Sequence, residues 1–169
     1  MTVIFRPATP SDAATLAEIG AATFVETFGH LYRPADLAAF LTAHTAENWA
    51  EELADARYAV VLGEDAGTPA AYAKLGPAKL PFTPPENAIE LRQFYVRAPY
   101  HGSGVAAEMM AWAIREARTR GAAAMYLSVF VDNPRARRFY ERHGFTRIGR
   151  YAFMVGEQAD EDDVMMLTL

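Results

Sequence analysis

The sequence contains no cysteine among its 169 residues. This absence excludes disulfides, a cysteine nucleophile and metal or iron–sulfur sites with cysteine ligands, and it suits a reducing compartment. No apolar run approaches the roughly 18–20 residues that a membrane span requires. The segment 1–7 also lacks the basic start and the apolar core of a signal peptide. We therefore expect a soluble, cytoplasmic protein without a membrane partner.

Positive charge is scarce as well, because 16 Lys and Arg residues face 21 Asp and Glu residues, for a net charge of −5. Nucleic-acid binding depends largely on basic side chains that neutralise phosphates, so no nucleic-acid partner is expected. A basic cluster consists of Arg135, Arg137, Arg138 and Arg142. An acidic cluster consists of Glu157, Asp160, Glu161, Asp162 and Asp163. The first could hold an anionic cofactor and the second could attract a cation, although solubility is the simpler explanation of both.

Two further kinds of site are missing. The four histidines, at positions 30, 44, 101 and 143, show no H-x-x-x-H spacing, so we expect no metal site. The sequence has no Gly-x-Ser-x-Gly elbow either, and we expect no covalent acyl-enzyme intermediate.

Half of the residues (51%) are hydrophobic and 22% are charged, which is typical of one globular domain, here residues 1–169. Helix start signals occur at Thr9, Pro34, Thr45 and Asn133. The predicted order is a strand at 3–6, helices to about 57, a hairpin over 58–75, a strand at 88–96, a helix from 107 to about 121, a strand at 125–131, a helix to 143, and two strands around 145–155 and 164–169. This order indicates a mixed α/β fold, in which residues 88–131 form a right-handed crossover between parallel strands.

A glycine loop, Gly102-Ser103-Gly104, lies between a predicted strand and a predicted helix. Glycines there let a ligand approach the backbone closely, and the free N–H groups of a helix start favour a phosphate group. A tight turn that simply needs two glycines explains the loop about as well.

Two nucleotide-binding motifs are partly similar to this loop, but neither fits the sequence around it. The string from Gly102 to Ala107 matches the loose Rossmann pattern G-x-G-x-x-A, but the acidic residue expected about 20 positions later is absent and too little chain follows for a doubly wound sheet. A kinase-type P-loop is excluded because no Gly-Lys-Ser/Thr is present.

The segment from His101 to Ala106 instead resembles the Q/R-x-x-G-x-G/A signature of the GNAT superfamily of acyl-CoA-dependent N-acyltransferases, with His101 in place of the usual Arg or Gln. The preceding strand, residues 91–96, and the segment Asn133-Pro134-Arg135-Ala136-Arg137-Arg138-Phe139-Tyr140-Glu141-Arg142-His143-Gly144-Phe145 also resemble that superfamily. The resemblance implies a single GNAT-like domain: a mixed, mostly antiparallel sheet with a parallel, splayed strand pair and flanking helices.

The resemblance also implies acetyl-CoA as co-substrate. Its pyrophosphate would lie on the glycine loop, its pantetheine arm along the preceding strand as an added strand does, and Asn133 and Phe139 would contact that arm. The implied cofactor-binding residues are Phe94, Tyr95, Val96, His101, Gly102, Ser103, Gly104, Val105, Ala106, Ala107, Asn133, Phe139 and Tyr140.

Tyr140 corresponds to the residue that acts in the family as a general acid toward the departing thiolate, whereas its own sequence context also suits a core aromatic residue. The acceptor amine needs a base, because holding a lysine-like amine neutral at pH 7 costs about 4.6 kcal/mol. Glu90 is the candidate base, with a water molecule or a simple pairing of Glu90 with Arg92 as alternatives. Strand alternation predicts that Glu90, Arg92 and Phe94 share one face.

The acceptor pocket is expected in the helical N-terminal region, where we name Phe28, Glu26 and Tyr32 as candidate substrate-binding residues. This region and the C-terminal segment resemble the branch that includes polyamine acetyltransferases. A loop at 157–163 could draw a cationic acceptor with its carboxylates.

The leading hypothesis is thus an N-acetyltransferase that acts on a small-molecule or peptide amine. The alternative is a non-catalytic acyl-CoA-binding sensor or docking module. A homodimer in which the C-terminal strands pair across chains is a further possibility.

Overall fold

Seven strands form one sheet in the computed structural model, which describes residues 2–42 and 44–169. The strands are β1 (Val3–Pro7), β2 (Ala59–Asp65), β3 (Thr68–Gly76), β4 (Ala88–Val96), β5 (Ala124–Phe130), β6 (Thr146–Val155) and β7 (Gln158–Thr168). Their spatial order is β1-β2-β3-β4-β5-β7-β6, and only β4 and β5 run parallel. The predicted fold class, a mostly antiparallel mixed sheet with one parallel pair, is confirmed.

Five α-helices cover the two faces of the sheet. They are α1 (Ala13–Phe28), α2 (Pro34–Leu41), α3 (Ala46–Ala54), α4 (Val105–Thr119) and α5 (Pro134–Arg142). The predicted start signals are confirmed for α3 and α5, where the side chains of Thr45 and Asn133 accept hydrogen bonds from Asn48 N and Ala136 N. In the described part of the chain, none of the helices has the length and apolar character to cross a membrane.

Each face has its own core. One core packs beneath α4 and α5 and includes Met109, Met125, Leu127, Tyr140 and Phe145; we call this side the α4–α5 face. The other packs beneath α1 and α3 and includes Leu16, Ile19, Trp49, Leu62 and Tyr72; we call it the α1–α3 face. Neighbouring strand residues alternate between the two cores, as a pleated sheet requires.

The parallel pair separates along its length. β4 and β5 pair only through Ala88–Glu90 and Ala124–Tyr126, so the rest of each strand diverges from the other. Beyond this point β4 remains paired with β3 and β5 remains paired with β7. The space between the two diverging strands, which we call the strand gap, confirms the predicted splay.

A β-bulge in β4 overturns the predicted face of Phe94. Gln93 pairs with Lys74 but Leu91 pairs with Leu75, so Arg92 is an extra residue in the register. The extra residue shifts the alternation by one, and Phe94 therefore packs on the same core as Leu91. Glu90 lies on the other face, and the prediction that Glu90, Arg92 and Phe94 share one face was wrong.

The acidic C-terminal segment is a strand rather than the predicted loop. β6 and β7 form a hairpin that turns at Gly156 and Glu157, and the pairing already begins with Val155 opposite Gln158. The charged residues of this segment suggested a loop, but two of its carboxylates are buried on the sheet faces and have partners there. Asp160 accepts a hydrogen bond from Tyr32, and fully buried Asp163 forms ion pairs with arginines.

Candidate functional site

The glycine loop has the backbone conformation and the open space that an anion site needs. Gly102 and Gly104 have φ angles of +76° and +87°, and Gly104 is the N-cap of α4. A Cβ built on either residue meets nothing within 4 Å, so close packing is not the reason for the two glycines. The next residues, Val105 and Ala106, open α4 with N–H groups that have no partner inside the helix. The loop therefore presents backbone donors and the positive end of a helix dipole to open space.

His101 ties this loop to two neighbouring elements. Its Nε2 lies 2.8 Å from the carbonyl oxygen of Val96, and its Nδ1 lies 2.8 Å from Nη1 of Arg135. Because a guanidinium can only donate, Nδ1 accepts and the Nε2–H group donates to Val96. His101 thus connects the end of β4 with the first turn of α5.

The free edge of β4 faces the strand gap. Phe94, Tyr95 and Val96 pair with Ala73, Tyr72 and Ala71 of β3 along one edge only. An unpaired strand edge can hydrogen-bond an extended ligand that carries amide groups. This is the edge on which the sequence placed the pantetheine arm.

Tyr140 and Phe139 of α5 lie on the α4–α5 side of the strand gap. The Phe94 ring lies 5.6 Å from that of Phe139 and 6.1 Å from that of Tyr140, measured between centroids. Burial raises the pKa of Tyr140 well above its usual value, and the nearby Tyr95 adds to the effect. The phenol is therefore protonated throughout the neutral range. In the described part of the chain, its hydroxyl has no hydrogen-bond partner.

Asn133 has a structural function that the sequence also predicted. Its Oδ1 accepts a hydrogen bond of 3.2 Å from Ala136 N and so caps α5. This bond occupies the amide oxygen and leaves the NH₂ group available to a ligand.

The predicted acceptor residues are not all brought together. Phe28 packs edge-on against Phe130 of β5, with 6.3 Å between ring centroids, and Tyr32 donates a hydrogen bond to Asp160. Both residues lie on the α1–α3 face beside the strand gap. Glu26 instead lies 3.7 Å from Nη2 of Arg97, just beyond the end of β4.

Glu90, the predicted base, lies at the paired end of β4. It stands opposite Tyr126 in the last register pair before the strands diverge. One carboxylate oxygen is 3.6 Å from Nε of Arg92 and the other accepts a hydrogen bond of 3.3 Å from Lys79 N. Burial raises its pKa, and the positive charges around it act in the opposite direction. The pairing with Arg92 that the sequence allowed as an alternative is present.

Two polar side chains near the gap were not named as individual site residues, although Asp162 belonged to the acidic cluster that could attract a cation. Asp162 of β7 stands opposite Phe130 and Tyr151, and burial followed by the charge of Asp160 raises its pKa to about 6. Gln93, which follows the bulge, has a buried Oε1 without a partner among the described residues. Local sequence held little signal for either residue, since the face of Gln93 depends on the bulge and Asp162 belonged to a predicted loop. Within residues 2–42 and 44–169, no three His, Asp or Glu side chains converge as metal ligands do.

Comparison with known proteins identifies the family. The model of the acetyltransferase (GNAT) family matches residues 24–145. An uncharacterized N-acetyltransferase of Mycobacterium bovis is 32% identical over 160 residues, which cover 94% of this chain and 99% of the relative.

Solved structures agree in fold. The PaiA N-acetyltransferase of Thermoplasma acidophilum, crystallised in complex with coenzyme A, superposes with a TM-score of 0.81 at 16% identity and full coverage of both chains. The acetyltransferase YncA of Salmonella typhimurium, solved with acetyl-CoA, has a TM-score of 0.72 at 24% identity, covering 100% of this chain and 95% of its own. With a family match over most of its length and a relative that aligns nearly end to end, this chain belongs to the GNAT family of acetyltransferases.

Proposed function

We propose that the protein transfers an acetyl group from acetyl-CoA directly to a primary amine of a small molecule or peptide. One observation carries the proposal: the strand gap opens directly beside the glycine loop, and Tyr140 lies on its rim. An activated acyl group and an amine can meet there from opposite faces of the sheet. Holding two reactants in this way supplies much of the rate of a bimolecular reaction.

The residues around the gap fit coenzyme A. The N–H groups from Gly102 to Ala107 suit its pyrophosphate, and the free edge of β4 at Phe94–Val96 suits the two amides of its pantetheine arm. The NH₂ group of Asn133 and the ring of Phe139 would flank that arm. Bound acetyl-CoA supplies an acetyl thioester, which an amine can attack without prior transfer to the protein.

Tyr140 supports the departing sulfur. Its raised pKa keeps the phenol protonated at neutral pH, so the hydroxyl is always available as a donor. Thiols ionise near pH 8.5, well below such a phenol, so Tyr140 stabilises the developing thiolate by hydrogen bonding, and it passes on a proton only as the acidic nitrogen of the acylated amine restores its hydroxyl. The family match and this protonated Tyr140 favour an enzyme over a binding module without activity.

The amine must lose a proton before it attacks. Glu90 or a water molecule held by it is the candidate that the sequence named. Its place at the paired end of β4 and its pairing with Arg92 favour a structural contribution, because a base must reach the amine within the gap.

The test is thiol release from acetyl-CoA with a panel of polyamines, amino acids, aminoglycosides, arylalkylamines and N-terminal peptides, together with a coenzyme A binding titration. Turnover with one class supports the proposal and identifies the acceptor chemistry. Coenzyme A binding without turnover on any amine favours the sensor alternative. Absence of coenzyme A binding contradicts the assignment of the glycine loop.

A further inference from the structure

We propose that the acceptor is a primary amine on an apolar or aromatic body, that it enters from the α1–α3 face as its ammonium ion, and that Asp162 removes the proton that frees the nucleophile. This inference rests on the proposed function. It names the substrate class and assigns the proton acceptor to β7, on the far side of β5 from Glu90.

The register of the sheet places Asp162 beside the strand gap. Val129 of β5 belongs to the core of the α4–α5 face, so the next residue, Phe130, points to the α1–α3 face. Asp162 stands directly opposite Phe130 and therefore shares its face. Phe130 lies at the end of β5 that is not paired with β4, where the gap is widest.

The other carboxylates near the gap are already occupied. Asp160 accepts hydrogen bonds from Tyr32 and from Gln158. Asp163, on the opposite face, lies within 3.5 Å of the guanidinium groups of three arginines: Arg137, Arg147 and Arg150. Among the described residues, Asp162 has no cationic partner, and the Ser128 hydroxyl is a polar neighbour that favours its ionised form.

The groups that face Asp162 come from every neighbouring element. They are Asp160 on its own strand, Ser128 on β5, Tyr151 on β6, Tyr95 on β4, and Tyr32 after α1, while the charge of Asp163 acts from the opposite face of the strand. Burial and the two aspartates raise the pKa of Asp162 to about 6, while the Ser128 hydrogen bond lowers it. Asp162 is therefore mostly ionised at neutral pH yet accepts a proton readily, which is the balance that a general base needs.

Tyr95 lies within electrostatic reach of both Asp162 and the acid, Tyr140. The negative charge of Asp162 and burial together raise the pKa of Tyr95 to about 12, with burial the larger cause. Tyr95 acts in the same way on Tyr140 across the gap. Asp162 and Tyr140 thus lie on opposite faces of the sheet, with Tyr95 between them.

The enclosed part of an aromatic cleft on the same face measures only about 10 Å³, so the body of the acceptor would lie against its half-buried rings rather than inside it. It is lined by Gly20, Phe24, Phe40, His44, Trp49, Tyr72, Gln93 and Tyr95. The Phe24 ring also stacks on Tyr32, with 5.9 Å between centroids, so the cleft continues toward the carboxylates of β7.

The electrostatics of the cleft suit an ammonium ion. The unpartnered Oε1 of Gln93 can accept an N–H hydrogen bond, and aromatic faces attract cations. Burial lowers the pKa of His44, which is therefore neutral, and the charge of Lys74 is balanced by Glu52 at 2.5 Å.

The protons balance over the reaction. The ammonium ion gives one proton to Asp162, which releases it to solvent. The neutral amine then forms the C–N bond, the C–S bond breaks, and Tyr140 gives its proton to the thiolate. The second proton of the nitrogen restores the Tyr140 hydroxyl. The products are the N-acetyl amine, the free thiol and one proton in solution.

The experiment compares Asp162→Asn with Glu161→Gln, which removes one charge from the adjacent, exposed position of the same strand. Two probes of similar shape are used with acetyl-CoA: benzylamine, which is protonated at neutral pH, and phenylhydrazine, which is not. For Asp162→Asn we expect a loss of about 100-fold in kcat/KM with benzylamine and little loss with phenylhydrazine. The Glu161→Gln variant should match the wild type with both probes.

Two readouts separate a base from a structural residue. The wild-type rate with benzylamine should decline below an apparent pKa of about 6, whereas in Asp162→Asn the rate should follow the ionisation of the amine itself and decline already at higher pH. In the protein without acetyl-CoA, the carboxyl carbon of Asp162 should titrate by NMR with the same midpoint.

Several outcomes overturn the proposal. Equal losses with both probes would make Asp162 structural, and unchanged rates in Asp162→Asn would exclude it as the base. A wild type that binds coenzyme A but acetylates neither probe would contradict the aromatic acceptor class. An NMR titration midpoint of Asp162 at the ordinary aspartate value would contradict its function as the base. Failure of the wild type to bind coenzyme A would instead contradict the proposed function itself.

Discussion

The two faces of the sheet meet at the strand gap but are built in different ways. On the α4–α5 face, the gap is bordered by rings and backbone from two continuous segments, 94–107 and 133–145, above a core of methionine, leucine and valine side chains. On the α1–α3 face, polar groups such as Gln93 and Asp162 lie among aromatic rings that come from α1, α2, β4 and β5.

This difference separates two kinds of recognition. A cofactor with a constant structure can be held by backbone groups, which a short motif with glycines and caps is sufficient to arrange. An acceptor that varies between family members must be held by side chains, and these converge only when distant parts of the chain fold together. On the face where we propose that the acceptor binds, Asp162 is a titratable group without an ion partner among the described residues.

The largest expected effect is on the α4–α5 face. Changing Tyr140→Phe removes the donor to the departing sulfur, and we expect kcat to fall by about 100-fold, or about 2.7 kcal/mol, with unchanged coenzyme A affinity. Steady-state kinetics and a coenzyme A titration check this. The control Tyr58→Phe removes a hydroxyl that contacts Arg92 away from the gap and should retain the wild-type rate. An active Tyr140→Phe enzyme would leave this face with a binding function alone.

The second expected effect is a loss of folding stability from a change at Asp163, which lies on the α4–α5 face. Asp163 is fully buried and its arginine partners lower its pKa against the effect of burial. Changing Asp163→Asn should destabilise the protein by about 2 kcal/mol at neutral pH. This loss is smaller than that expected on breaking a fully buried ion pair, because the arginines are partly exposed. Since a lowered carboxyl pKa stabilises the fold above the unfolded value near 4, the deficit should shrink as the pH falls below 4. Urea unfolding across this range measures it.

The third expected effect tests the backbone site. Changing Gly104→Ala should weaken coenzyme A binding about 10-fold, because the methyl group would project into the space above the loop and the residue has a positive φ. Gly121 is a matched control, since its φ is +78° and a Cβ there also meets nothing within 4 Å. Gly121→Ala should show the same loss of stability and unchanged cofactor affinity. If Gly104→Ala and Gly121→Ala bound coenzyme A equally well, the assignment of the glycine loop as the pyrophosphate site would be wrong.

The smallest expected effect is a gain in stability from a change at Asp162, opposite in sign to the loss expected at its neighbour Asp163. Changing Asp162→Asn should stabilise the protein by about 1 kcal/mol at neutral pH, after allowance for partial exposure to solvent. Its pKa is raised to about 6, so the native state binds a proton between pH 4 and 6 that the unfolded state does not. Wild-type stability should therefore fall as the pH rises through this range, and the gain of the variant should vanish below pH 4. A destabilised variant would indicate that Asp162 is structural, like Asp163.

Much of the fold followed from local patterns. The starts of α3 and α5 were predictable because Thr45 and Asn133 cap them through hydrogen bonds that span three residues. The glycine loop was predictable because only glycine readily adopts the φ values at 102 and 104. Both signals depend on residues adjacent in sequence.

Two features of the structure could not be predicted from local sequence patterns. The bulge at Arg92 depends on how β4 pairs with β3, and it reverses the face of every residue from Gln93 to Val96. The acidic segment of β7 resembled a loop because a partner such as Tyr32 lies far away in the sequence, 128 positions before Asp160.

The sequence alone thus determined the order of elements, the family and the cofactor side, because caps, glycine conformations and hydrophobic periodicity act over a few residues. Which carboxylate is buried, which is paired and which faces the gap was settled by the assembled sheet. Asp162 and Asp163 are neighbours of the same type, yet their pKa values shift in opposite directions. The reason is that a pKa depends on burial and on nearby charges, and both come from strands and helices that only tertiary packing brings together.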